Sequence, residues 1–244
     1  MGELDPEDRR ERILKAHAVR TRPRNPMLSF LPTATTVPLK VFCLGAHADD
    51  LEIGAGGTLL RLLEERPVEL CWVVASADGS RAEEAHASAT AMTAAAVRCE
   101  VHVWDLNENL FPAQLVDLKS RLWELQKTFT PDLVLSHHLE DRHQDHRTCA
   151  EVIWQTFRDQ PVLEFEIAKF EGDLGQPSVF VPLSADQMEG KLQHLEAHFP
   201  SQAGRPWFDA DAFRALARLR GVECNSPSGY AEAFTARKLT LDFT

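Results

Sequence analysis

From Val37 onward, short apolar runs alternate with longer stretches whose apolar positions recur every three or four residues. The runs at 39–46 (LKVFCLGA), 68–76 (VELCWVVAS), 99–106 (CEVHVWDL) and 131–138 (PDLVLSHH) are rich in β-formers and predict strands. Between and after them, 51–65, 80–97, 112–129 and 144–159 carry helical spacing. Alanine content with Glu83 and Glu84 favours the second of these, and Pro112 suits the first position of the third. Strands separated by helices of this length build βαβ units, whose right-handed crossovers set them in one mostly parallel sheet. The expectation is a Rossmann-like three-layer α/β/α fold in strand order 3-2-1-4-5. Further on, 161–170 and 177–183 read as strands, and 185–198 and 209–220 as helices.

Before Val37 the pattern is different. The first 26 residues are dense in charge, with a short helix expected over Pro6–Ala18 and breakers at Pro23 and Pro26. This divides the chain into an N-terminal extension, 1–36, and one domain, 37–244. The leader has no apolar core of a signal peptide, and no stretch approaches the ~20 apolar residues of a membrane span. Five cysteines without paired spacing point to a reducing, cytoplasmic setting. With 26 basic and 37 acidic residues, the formal charge of −11 argues against nucleic acid or an anionic membrane as partner.

Chemistry concentrates where two of the strands end. Gly45 to Gly57 reads GAHADDLEIGAGG, and a histidine and two carboxylates in one turn are costly to bury unless something uses their charge. A phosphate-cradling glycine loop is disfavoured because Asp49 and Asp50 would repel the phosphate. Ser136 to His146 reads SHHLEDRHQDH, with four of the ten histidines. In the expected strand order the first and fourth strands are neighbours, so these loops face one crevice. Imidazoles and carboxylates without cysteine suit Zn²⁺, or another divalent transition metal, with an open coordination position. His47 and Asp50, three apart on a turn, can reach one ion, with His146 as third ligand. Asp49 is then free as a base and His143 free to act on substrate. Such a site is hydrolytic, since the metal lowers the pKa of water toward ~7 and polarises a carbonyl.

These motifs, AHADDLEIGAGG and HQDH, resemble the PIG-L/LmbE-like deacetylases, whose pattern is A-H-P-D-D-x-E-x-G-x-G-G followed about ninety residues on by H-P-D-H. The likeness extends through GSRAEE (79–84), EIAKFEGDLG (166–175), KLQHLEAHFPSQ (191–202) and RGVECNSPSGYAEAF (220–234), covering roughly 38–240. The resemblance implies a zinc-dependent N-deacetylase of N-acetylglucosaminyl compounds, with His47, Asp50 and His146 on zinc and Asp49 as general base. It implies that His143 stabilises the oxyanion or protonates the leaving amine, with Asp145 holding its charge, and that Arg142 of the DRH sequence contacts substrate. Asp141 stands where some members carry an acidic tyrosine. Both family prolines are replaced, by Ala48 and Gln144. Arg81, after the second strand, is a candidate sugar contact. Glu52 is expected to support the loop, and Lys169, Glu171 and Asp173 to rim the pocket. His137 and His138 are left out of the ligand set.

The expected partner is thus a small amino-sugar conjugate, and the charged leader leaves room for a homo-oligomer. An amidase acting on a thiol-sugar or antibiotic conjugate is the alternative within the class. A non-catalytic Rossmann-like nucleotide-binding module, resting on the glycines alone, is the alternative outside it.

Overall fold

A computed structural model describes residues 36–240. The proposed helix at Pro6–Ala18, and all but the last residue of the 1–36 extension, lie outside the described residues. Seven strands form one sheet in the order β3-β2-β1-β4-β5-β7-β6: β1 (Leu39–Gly45), β2 (Val68–Val74), β3 (Arg98–Val103), β4 (Leu133–His137), β5 (Val162–Phe165), β6 (Val179–Leu183) and β7 (Tyr230–Thr235). The strands β3 to β5 run parallel, and β7 enters antiparallel between β5 and β6. Among the described residues the α-helices are α1 (Asp50–Glu65), α2 (Gly79–Met92), α3 (Leu115–Thr128), α4 (Gln144–Thr156), α5 (Ala185–His198) and α6 (Ala210–Glu223).

The central strand β1 shows why three layers form. Val41 and Cys43 pack into one core with Leu51 and Leu59 of α1, Met188 and Leu192 of α5 and Phe213 of α6. Phe42 and Leu44 face the opposite core with Leu118 and Leu122 of α3 and Val152 and Ile153 of α4. A strand with period-two side chains that are apolar on both faces needs a helical layer on each.

The glycines after β1 lie inside α1 rather than before it. A Cβ on Gly54 would come within 2.3 Å of Phe165, and one on Gly57 within 2.4 Å of Leu183. Their absent side chains let the helix lie close on the sheet. A buried ion pair occupies the same place. Lys191 Nζ donates to Ile53 O and Glu232 Oε1, each at 2.6 Å, while Glu232 accepts the N–H groups of Gly57 (2.9 Å) and Thr58 (2.6 Å). Ile53 O and Gly57 N–H form one rung of a regular helix, so the pair is built into the ladder of α1.

Three expected elements change, and one strand is added. The helix expected over 80–97 ends at Met92, because Val97 N–H is drawn to Val68 O (2.9 Å) to start β3. The helix expected from Pro112 begins as a 3₁₀ turn, Phe111–Gln114. The strand expected over 161–170 stops at Phe165, because Glu166 and Lys169 find ion-pair partners away from the sheet. The strand β7 has no counterpart in the expected elements.

Among the described residues no helix is long and apolar enough to cross a membrane. The cysteines are free thiols.

Candidate metal centre and active site

The loop leaving β1 is folded by its own residues. Asp50 opens α1 and its Oδ2 accepts the backbone N–H of His47 at 2.7 Å. Ala46 N–H reaches His137 Nε2 at the end of β4 (2.8 Å), tying the two strand ends together. The site thus gathers His47, Asp49 and Asp50 from the β1 loop with His137, Asp141, His143, Asp145 and His146 from the β4 loop and α4.

Three donors converge. His47 Nδ1 lies 3.2 Å from His146 Nε2 and 3.3 Å from Asp50 Oδ2, and His146 Nε2 lies 3.5 Å from Asp50 Oδ1. Bonds of about 2.0–2.2 Å in tetrahedral geometry place ligand atoms about 3.3–3.6 Å apart. The two ring nitrogens approach this spacing, and Asp50 meets each ring through a different oxygen. The donor groups close enough to hold one ion are His47, His143 and His146, and Asp50, His137 and His146. The other nitrogen of each ring is occupied by a carboxylate. His47 Nε2 is 3.2 Å from Asp145 Oδ2, and His146 Nδ1 is 3.0 Å from Asp141 Oδ2. Each acid holds the ring proton on its side and leaves the inner nitrogen with a lone pair, the usual arrangement of metal-binding histidines. The residues fit a divalent metal of nitrogen and oxygen preference.

The electrostatics agree for His146, whereas His47 without a metal holds a proton that a bound cation would displace. Burial, with His137 alongside, pushes His146 down to about 3 against the pull of Asp50 and Asp141, which keeps the ring neutral. Burial opposes charge on His47 too, but Asp50 and Asp145 outweigh it and raise it to about 10. The acids around His47 therefore call for a cation there. Asp49 is pushed up to about 6 by burial and by Asp50, with Arg81 and His47 pulling the other way. Its Oδ1 lies 3.2 Å from Arg81 Nη2, while its Oδ2 is buried without a hydrogen-bond partner. An acceptor left open in this way is suited to take a proton from a reacting group.

His143 caps α4. Its Nδ1 accepts Asp145 N–H at 3.3 Å, which sets the ring proton on Nε2. The ring sits 4.5 Å from that of His146 and 5.1 Å from that of His47. Among the described residues no hydrogen bond or ion pair joins the Asp145 carboxylate to His143. The Asp145 carboxylate is consumed by His47 and by the N–H groups of Asn109 (2.5 Å) and Phe111 (3.1 Å). Arg81 joins the cluster through Asp49, whereas Arg142 stands apart. It is exposed, its N–H is bound by Asp173 Oδ2 (2.7 Å), and its guanidinium has no ion-pair or hydrogen-bond partner among the described residues.

Three side chains gain importance that sequence reasoning withheld. His137 turns into the site, 3.2 Å from Asp50 Oδ2, with its ring stacked on His146 at 4.0 Å. His138 turns away, 3.8 Å from Glu164. Asp141 holds His146, and Lys169 holds Asp141 at 3.0 Å. The signal for Asp141 is its place in a cluster of histidines and acids at a strand end. From sequence, Lys169 is expected only to rim the pocket.

Residues 42–157 match the family model described as PIG-L, GlcNAc-PI de-N-acetylase. Among solved structures, the chain is similar to the N,N'-diacetylchitobiose deacetylase from Pyrococcus horikoshii, with 19% identity and a TM-score of 0.61 over 97% of this chain and 94% of that one. It also resembles the zinc-inhibited form of the teicoplanin deacetylase Orf2 (13%, TM-score 0.58, 81% and 97%). A third neighbour is GalB, the 4-carboxy-2-hydroxymuconate hydratase from Pseudomonas putida KT2440 (19%, TM-score 0.65, 84% and 99%). These likenesses establish a shared fold, and since that fold carries a hydratase beside deacetylases, it does not choose the reaction.

Proposed function

From the premise that residues 42–157 form a PIG-L-family domain, we propose that the protein is a metal-dependent hydrolase that removes an N-acetyl group from an amino-sugar conjugate. The observation that carries the reading is the pairing of two inner histidine nitrogens and Asp50 at 3.2–3.5 Å, each ring backed by its own carboxylate.

His47, Asp50 and His146 would hold Zn²⁺, which when bound supplies Lewis acidity toward the acyl oxygen and the attacking water. Asp49 takes the water proton on its open Oδ2. His143 presents an N–H at Nε2 to the developing oxyanion, and either His143 or the protonated Asp49 delivers a proton to the departing amine. Asp145 holds His47 in place for this, and Arg81 sets the orientation of Asp49. Acetate and a free amine leave. The family match and the sugar-processing deacetylase among the neighbours support the N-acetylglucosamine class of substrate. A nucleotide module finds no support, since Glu232 already occupies the N–H groups of Gly57 and Thr58.

The test is Asp49→Ala. Turnover should fall by roughly 10²–10⁴-fold while zinc stays at about one per chain. Near-normal acetate release by the variant would sink the base role. A panel of N-acetylglucosaminides, read by acetate release and product mass, identifies the conjugate.

A further inference from the structure

We infer that Lys169 is a positioning residue for the metal ligand His146, acting through Asp141. The inference rests on the metal-site reading given above but concerns a residue outside it.

Asp141 is only 4% exposed, and its two oxygens are divided between tasks. The Oδ1 atom accepts His143 N–H at 2.8 Å. The Oδ2 atom faces His146 Nδ1 and Lys169 Nζ, each at 3.0 Å. A buried carboxylate facing one imidazole N–H is poorly compensated, and the lysine supplies the missing charge and pins the carboxylate plane.

Lys169 is itself immobilised. It comes from the segment between β5 and β6, and its side chain is 9% exposed. Its three ammonium protons match three acceptors: Asp141 Oδ2, and Asp173 Oδ1 and Oδ2 at 2.7 and 2.8 Å. Asp173 also binds Arg142 N–H, which ties the segment to the β4 loop. Gly172, at φ +58°, takes the left-handed turn that brings Asp173 back to the lysine. At the segment's ends, Arg220 of α6 binds Glu166 (2.5 and 2.9 Å) and Gly175 O (3.1 Å). A lysine stem that is free elsewhere is therefore held at both ends, and the order of contacts runs from α6 through the segment to Asp141 and then to the ligand ring.

The experiment is a double-mutant cycle on zinc affinity, measured by competition with a chromophoric chelator on the full chain. Lys169→Met should weaken zinc binding by about 10–100-fold, the range for lost support of a metal ligand, and Asp141→Asn should do the same. The double variant should be no weaker than Asp141→Asn alone, because the lysine acts through that acid. The visible spectrum of the Co²⁺-loaded protein should shift in Lys169→Met, a change that general loss of stability would not produce. A folded Lys169→Met variant with zinc affinity within about twofold of wild type overturns the inference, as do two losses that multiply in the double variant. If Lys169→Met does not fold, Asp173→Asn reads the same coupling by freeing the ammonium from its anchor. It should weaken zinc by more than about threefold alone and by nothing in the Asp141→Asn background, and an unchanged affinity overturns the inference. A wild-type chain that binds no zinc removes the metal reading as well, whereas tight wild-type binding with an indifferent Lys169 removes this inference alone.

Discussion

Two clusters of buried charge lie on α1, and they are built differently. Near the second turn, Lys191 and Glu232 are 3% and 5% exposed, and both carry direct partners: the ammonium meets Ile53 O and Glu232, and the Glu232 oxygens meet two backbone N–H groups. At the helix start, Asp49 Oδ2, Glu52 Oε2 and His137 Nδ1 are buried without partners, and three carboxylates crowd His47, His137 and His146. Unmet polar demand of this kind costs free energy in a scaffold and is retained where a ligand or reaction uses it. The contrast teaches that saturation, rather than burial of charge, separates the fastener from the site.

The comparison breaks most visibly if the unsaturated cluster is dispensable. Asp50→Ala should lose stoichiometric zinc and reduce turnover by roughly 10³-fold or more, checked by metal analysis and acetate release. Full zinc content in that variant would contradict the ligand assignment. In the saturated cluster the effect should fall on folding instead. Lys191→Met leaves Glu232 buried without its cation and should cost about 3–5 kcal/mol in urea unfolding, with kcat of the folded fraction little changed.

Glu52 sharpens the contrast through pH. Burial pushes its carboxyl up to about 8, with Asp49 and Asp50 adding to the rise and its hydrogen bond from Ser88 opposing it. A carboxyl whose folded value exceeds its unfolded value keeps its proton in the folded state and loses it on unfolding between the two. Stability of chelator-treated protein should therefore fall as pH rises from about 5 to about 8, by roughly 1.4 kcal/mol per unit at most. Glu52→Gln should flatten that slope, and an unchanged slope in the variant would exclude Glu52 as its source.

The smallest effect is expected from restoring the family proline as Gln144→Pro. Gln144 opens α4, where proline is tolerated, and the gain of about 0.4–1 kcal/mol is offset by the lost side-chain bond to Asn109 O. Thermal unfolding should change by less than about 1 kcal/mol equivalent, and a larger loss would mean that this glutamine anchors the loop.

What sequence could tell followed from repetition and local spacing. The parallel strands β1 to β5 and their order were legible because each is an apolar run between helical stretches. The two clusters that meet in the candidate site were legible because short loops at two strand ends compress them into thirteen and eleven positions. The strand β7 was not legible, because Glu232 at its centre reads as a surface residue until its partner, 41 positions away in α5, is known. Asp145 was matched to His143, its close neighbour in sequence, whereas folding assigns its carboxylate to His47, 98 residues distant. The backbone N–H groups of Asn109 and Phe111 that hold Asp145 leave no trace in side-chain identity. Local pattern reports elements and clusters, and partner choice within a cluster is a tertiary matter.

The Lys191–Glu232 pair also has a bearing on the order in which the molecule is made. The rung it occupies belongs to the helix that starts at Asp50, yet Glu232 follows Gly57 by 175 residues. A nascent chain that has emerged only as far as α5 already contains every residue assigned here to metal binding and proton transfer. It still lacks the carboxylate that completes the second turn of α1. The first motif of the candidate site is thereby joined to a strand translated 175 residues later, and the second turn of α1 is completed only once synthesis has passed residue 232.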